Sequence, residues 1–161
     1  MALEVRLARP EEHAQVGELT VRAYDAFTRG PADPYVARLR DAAARASGGE
    51  LWVAVEGERL LGNVTYCPPG SAFREVARDD EGEFRMLAVD PAARGAGAGT
   101  ALARHCEARA QAHGASGMAL STLAEMGDAH RIYRRLGYDR DPTRDWSPLP
   151  GVDLLAFSKV F

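Results

Sequence analysis

The segment Arg94-Gly95-Ala96-Gly97-Ala98-Gly99-Thr100 constrains this chain most. Alternating glycines do not sustain the interior of a helix or a strand, because each loses more freedom on ordering than alanine does, by roughly 0.5–1 kcal/mol. Its flanks are regular. Phe84 to Val89 is an apolar run of strand length closed by Asp90-Pro91, and Ala98, Leu102 and Cys106 recur at helical spacing, with Arg104, Glu107 and Gln111 turned outward, before Gly114 stops the helix. A further strand-like run follows at Met118 to Leu123. Strand, glycine turn, helix and strand make a crossover unit, the connection that parallel strands require. The turn sits where free backbone N–H groups and the helix dipole combine to bind phosphate oxygens, and small residues let an anion approach the main chain.

The spelling of the turn separates it from two nucleotide-binding loops. A Walker loop ends in Gly-Lys-Ser/Thr, whereas Gly99 is followed by Thr100 with no lysine. A dinucleotide fingerprint needs glycine where Thr100 or Leu102 stands. Charge narrows the field further. The net charge is −3, and 19 of the 20 basic residues are arginine, Lys159 being the exception. This gives no global field for nucleic acid, so any anion must be held by a local device.

Around the crossover, Leu3 to Leu7 reads as a strand, and Pro10-Glu11-Glu12 opens a helix with Val16, Leu19 and Ala23 on its apolar face. Asp33-Pro34 starts a second helix carrying Val36, Leu39 and Ala43 up to Ser47-Gly48-Gly49. Leu51 to Val55 and Leu60 to Tyr66 form a hairpin, and residues 68–82 form one long irregular stretch of the kind that is usually functional. Ala129, Ile132, Tyr133 and Leu136 lie at helical spacing before Gly137, and Leu154 to Phe161 ends the chain as strand. The order predicts one α/β (α+β) domain over residues 1–161, with a mixed sheet antiparallel at first and parallel around residues 84–123. Cys67 and Cys106 fit neither a disulfide framework nor a metal site, and the four histidines show no metal spacing, so no metal is expected. The N-terminus lacks the pattern of a signal peptide and no apolar run approaches a membrane span, which predicts a soluble cytoplasmic protein with no membrane partner.

The strand Phe84 to Pro91, the Arg-x-x-Gly-x-Gly at Arg94 to Gly99, and Ile132-Tyr133-Arg134-Arg135-Leu136-Gly137-Tyr138 downstream together resemble the GNAT superfamily of acyl-CoA-dependent N-acetyltransferases. The resemblance implies a mostly antiparallel central sheet flanked by helices, with the parallel crossover at the coenzyme site. It implies acetyl-CoA as co-substrate, its pyrophosphate on the amides of Gly95, Ala96, Gly97, Ala98, Gly99 and Thr100 beside Arg94, and its pantetheine arm along the backbone of Leu87, Ala88 and Val89. Arg131, Arg134 and Arg135 could reach the adenosine phosphate. Tyr133 matches the tyrosine that protonates the departing thiolate, and Glu83 matches a strand glutamate that deprotonates the amine. Met126-Gly127-Asp128 departs from the family, whose members often carry asparagine there. The acceptor side points to Tyr24, Phe27, Tyr35 and Phe73, and the run Asp79-Asp80-Glu81 would favour a cationic small-molecule amine if it faced the cleft. A protein amine acceptor and a non-catalytic acyl-CoA sensor stand as alternatives. Similar proteins are often homodimers.

Overall fold

The computed structural model describes residues 2–161. Alternating runs near the N-terminus build an antiparallel meander of β1 (Leu3–Leu7), β2 (Glu50–Glu56), β3 (Arg59–Cys67) and β4 (Glu81–Val89). Helix α4 (Ala98–Ala112) then crosses over to β5 (Gly117–Leu123), which pairs in parallel with β4. Strand β5 is completed by antiparallel β8 (Val152–Val160), against which the short β6 (Asp139–Arg140) and β7 (Trp146–Leu149) pair. The result is one eight-stranded mixed sheet in the order β1-β2-β3-β4-β5-β8-β6, with β7 also on β8. No helix among the described residues is long and apolar enough to cross a membrane.

The sheet is buried on both faces. On one face α4 and α5 (Gly127–Arg135) cover a core that includes Leu61, Phe84, Leu102, Met118, Tyr133 and Phe157. On the other, α1 (His13–Tyr24), α2 (Pro34–Arg40) and α3 (Ala42–Gly48) cover Val16, Leu19, Leu39, Val53, Met86 and Ala88. Covered on both sides, β3 and β5 are buried almost without interruption rather than at alternate residues.

Strand β4 changes parity in its middle. Thr65 lies opposite Arg85 and Asn63 opposite Ala88, so β4 spends one more residue than β3 over this stretch. Met86 absorbs the extra residue at φ 54, a left-handed conformation rare outside glycine. The bulge turns Met86 to the α1 face and Leu87 to the α4–α5 face. Pairing of β4 with β5 covers only Glu81 to Glu83, whereas β5 remains paired with β8 along its whole length. The two strands therefore part beyond Glu83.

The single helix expected over residues 34–46 is two. Asp41 breaks it at φ −81 and ψ 69, and its carboxylate accepts from the Ala44 amide at 3.1 Å, capping α3. The break resets the buried face: Ala43 is exposed, while Ala42 and Arg45 point inward.

Candidate active site

The parting of β4 and β5 opens a cleft of about 750 Å³. One wall is the β4 segment Leu87 to Val89, and the other comes from α5 through Ala129, Ile132 and the arginines 131, 134 and 135. The end of the cleft is the turn into α4. Gly95 and Gly97 sit at φ 84 and 83 with open space where a Cβ would stand, so glycine is demanded there by backbone conformation rather than by crowding. The first intrahelical bond runs from Ala101 N–H to the Gly97 carbonyl, which leaves the amides of Ala98, Gly99 and Thr100 without a helical acceptor. Four arginines (94, 131, 134 and 135) and one aspartate, Asp128, surround this end. Asp128 engages Arg131 at 2.7 Å and lies 3.9 Å from Arg94. The concentration of positive charge and free amides suits a polyanion, and the strand edge suits an extended arm. These residues fit coenzyme A in shape and charge.

Of the predicted coenzyme residues, Leu87, Ala88, Val89, Arg94, Gly95, Gly97, Ala98, Gly99 and Thr100 all line the cleft, and Ala96 does not. Phe27 lines it as well. Tyr133 is buried in an aromatic group with Phe84, Tyr138 and Phe157, at centroid distances of 5.8–6.1 Å. Its hydroxyl forms no hydrogen bond with another described residue, and Tyr133 does not itself line the cleft, whereas its neighbour Ile132 does. Burial raises its pKa above the ordinary phenol value, which keeps the proton on at neutral pH.

Glu83 has another task than the base expected of it. It is fully buried, and Oε1 accepts from the amides of Glu75, Val76 and Ala77 at 2.9, 3.0 and 3.0 Å. Its other oxygen is enclosed and unpartnered. Glu83 thereby pins the irregular segment between β3 and β4 to the sheet. The acidic run does not face the cleft either. Glu81 is locked to Arg144 at 2.6 Å and Asp80 accepts from Ser116 at 3.2 Å, at the far end of β4, about 20 Å from Leu87 at the rise of a strand.

The predicted acceptor aromatics divide. Tyr24 and Tyr35 line a second, small hollow of about 20 Å³ on the α1 side of the bulge, together with Glu75, Arg85, Met86 and Ser121. Phe73 lies in neither space: it packs under the Arg85 guanidinium at 5.8 Å. Arg85 pairs through Nε with Glu75 at 2.6 Å. Burial pushes the Glu75 carboxyl up to about 7, against the pull of Arg85 and with the help of the Glu83 charge. Behind the hollow, Arg45 is 1% exposed and bonds only neutral oxygens: Asn63 Oδ1 at 2.9 Å, Leu39 O at 3.0 Å, Thr65 Oγ1 at 3.2 Å and Thr20 Oγ1 at 3.3 Å. Glu75, Arg85 and Arg45 were outside the predicted site. Only the bulge and the helix break bring them together, and neither has a sequence signature here.

Comparison with known proteins agrees with this geometry. The sequence matches the family model of the acetyltransferase (GNAT) family over residues 14–138. N-acetylaspartate synthetase from Rattus norvegicus is 33% identical over 114 residues, covering 71% of this chain and 36% of that protein. Mycothiol acetyltransferase from Cellulomonas flavigena is 35% identical over 116 residues, covering 66% of this chain and 33% of that protein. The chain thus spans about a third of the length of these curated relatives. Among solved structures, the PaiA N-acetyltransferase of Thermoplasma acidophilum in complex with coenzyme A shares the fold over the whole of both chains, at a TM-score of 0.73 and 14% identity. With the family match covering most of its length, the chain belongs to the GNAT family of acetyltransferases.

Proposed function

We propose that this chain transfers an acetyl group from acetyl-CoA to the primary amine of a small molecule. The observation that carries the reading is the cleft itself: a free strand edge at one end, and free helix-start amides ringed by arginines at the other. Such a site accepts a long ligand that is highly charged at one end and reactive at the other. The amides of residues 95–100 and Arg94 hold the phosphates, with Arg131, Arg134 and Arg135 at the rim. The backbone of Leu87 to Val89 binds the arm as an added strand, and the amide near Leu87 faces the oxygen that gains charge during attack. Tyr133, protonated at neutral pH, donates its proton to the departing sulfur. A small-molecule acceptor is supported by the names of two relatives, N-acetylaspartate synthetase and mycothiol acetyltransferase.

The test is thermal unfolding with acetyl-CoA, followed by thiol release in the presence of primary amines. A ligand at a hundred times its Kd stabilises the fold by about 2.7 kcal/mol, a readily measured rise in Tm. No rise at saturating acetyl-CoA overturns the reading. A rise without thiol release from any amine supports the sensor instead.

A further inference from the structure

The hollow beside the β4 bulge holds an ion pair with one free atom on each partner. Arg85 uses Nε for Glu75 at 2.6 Å and Nη1 for the Phe73 carbonyl at 3.4 Å. Its Nη2 and the Glu75 Oε2 form no hydrogen bond with another described residue, and the side chains of Arg85 and Glu75 keep 12% and 17% of their exposure. Both residues line the hollow, so a guanidinium and a carboxylate border one space. Arg85 is two residues from Leu87, about 7 Å along the strand, which puts this pair within reach of the reacting end of the cleft. The local charge is not balanced: Arg85, Arg38 and Arg45 act on the hollow's Tyr35 wall against Glu75, with Glu83 behind it. Excess positive charge there favours an acceptor with an anionic group, contrary to the cationic preference expected from the acidic run.

Resting on the acetyl-transfer reading above, we propose that Glu75 and Arg85 form the acceptor subsite for an amine that also carries a carboxylate, Arg85 Nη2 binding the carboxylate and Glu75 Oε2 taking the amine's proton. The hollow has room for about one water, which needs roughly 10–15 Å³ of such space, so the acceptor's amine and carboxylate engage the pair from its mouth. Glu75 removes one proton from the bound ammonium and passes it to solvent, freeing the lone pair. The C–N bond forms and the C–S bond breaks, the sulfur takes the Tyr133 proton, and the second proton shed by nitrogen restores the phenol. Ammonium and thioester thus become amide, thiol and one released proton. Glu83 is a positioning residue, since it binds the amide of Glu75 itself. The groups that face Glu75 are Arg85 and Glu83 from β4, Arg38 and Tyr35 from α2, Tyr24 from α1 and Cys67 from β3.

The experiment is thiol release from acetyl-CoA with the common L-amino acids, each paired with its decarboxylated amine, over pH 5–9. The expected result is a preference for at least one amino acid of about tenfold to a hundredfold, the worth of one charge-assisted hydrogen bond, collapsing in Arg85→Gln. In the wild type kcat/KM rises through about pH 7, where Glu75 sheds its proton. Glu75→Gln loses that limb and at least about a hundredfold in rate, and recovers only as the amine deprotonates by itself at high pH. Glu83→Gln removes a neighbouring negative charge and moves the limb to lower pH. Should Glu75→Gln fold poorly, carbon-13 NMR of the Glu75 carboxyl in the wild type replaces it, and a midpoint below pH 5 overturns the assignment. Equal rates for amines and amino acids, or an unchanged pH profile in Glu75→Gln, overturn it too. Turnover of no amino acid by a chain that binds acetyl-CoA also defeats the subsite and leaves the cleft reading standing, whereas failure to bind acetyl-CoA defeats that reading itself.

Discussion

Tyr133 and Tyr138 pack edge to face at 6.1 Å in one aromatic group, and removing the hydroxyl from each should produce opposite phenotypes. The Tyr138 hydroxyl donates to Glu107 Oε2 at 2.7 Å. A hydrogen bond to a charged group contributes about 1.5–3 kcal/mol. Glu107 keeps Lys159 Nζ at 3.2 Å when the phenol is gone, so it is not left orphaned, and Tyr138→Phe belongs near 1.5 kcal/mol. With a urea m-value of about 1–3 kcal/mol/M, that is a drop in the unfolding midpoint of roughly 0.5–1.5 M. Tyr133 has no protein partner to lose, and its ring contacts survive as Phe, so Tyr133→Phe should leave stability within about 0.5 kcal/mol. Its kcat should fall by about 10²–10⁴, the usual contribution of a positioned proton donor, with acetyl-CoA affinity retained. Paired urea titrations and thiol-release assays read both quantities. The reasoning fails if Tyr133→Phe loses stability comparable to Tyr138→Phe while keeping its kcat, for the phenol would then be packing only.

Three further outcomes follow from the geometry. Gly97→Val meets no steric obstacle, but it forces a β-branched residue into φ 83, so it should cost about 1–3 kcal/mol in urea titrations and weaken acetyl-CoA binding by calorimetry. Arg45→Met leaves the Leu39 carbonyl and Asn63 Oδ1 without their buried donor, a loss of about 1–3 kcal/mol for each that is only partly offset by removing a charge whose pKa burial lowers to about 10; an unchanged midpoint would contradict this. The Arg6 guanidinium holds the Glu12 carboxyl down at about 2, so its contribution is present above the unfolded value near 4.5 and is lost as pH falls toward 2. Both groups are partly exposed, so Glu12→Gln should cost at most about 1 kcal/mol at pH 7 and nothing below pH 2, as read by stability against pH.

What could be read from sequence was what is local. The glycine turn, the strand before it and the helix after it specify themselves through spacing, and every element around the coenzyme end was placed to within a few residues. The hollow on the α1 side depends instead on two interruptions. Parity counted along β4 assigns Leu87 to the same face as Arg85, but the extra residue at Met86 reverses that, leaving Arg85 on the α1 side and Leu87 toward α5. Spacing along residues 34–46 assigns Ala43 to the core, but the cap at Asp41 replaces it with Ala42 and Arg45. The misreading of the acids has the same origin. Asp79, Asp80, Glu81 and Glu83 are adjacent in sequence and look like one negative patch. The roles of Asp80, Glu81 and Glu83 are set by long-range partners, Ser116, Arg144 and the amides of residues 75–77, which no local pattern announces. Much of the charge that looks free in sequence is spent on structure, and Glu75, paired with Arg85, stands in the stretch that spacing could not resolve. In the proposed subsite, specificity for the acceptor rests on departures from regular structure, and a substitution at Asp41, outside the lining of the hollow, should alter it without touching the ligand.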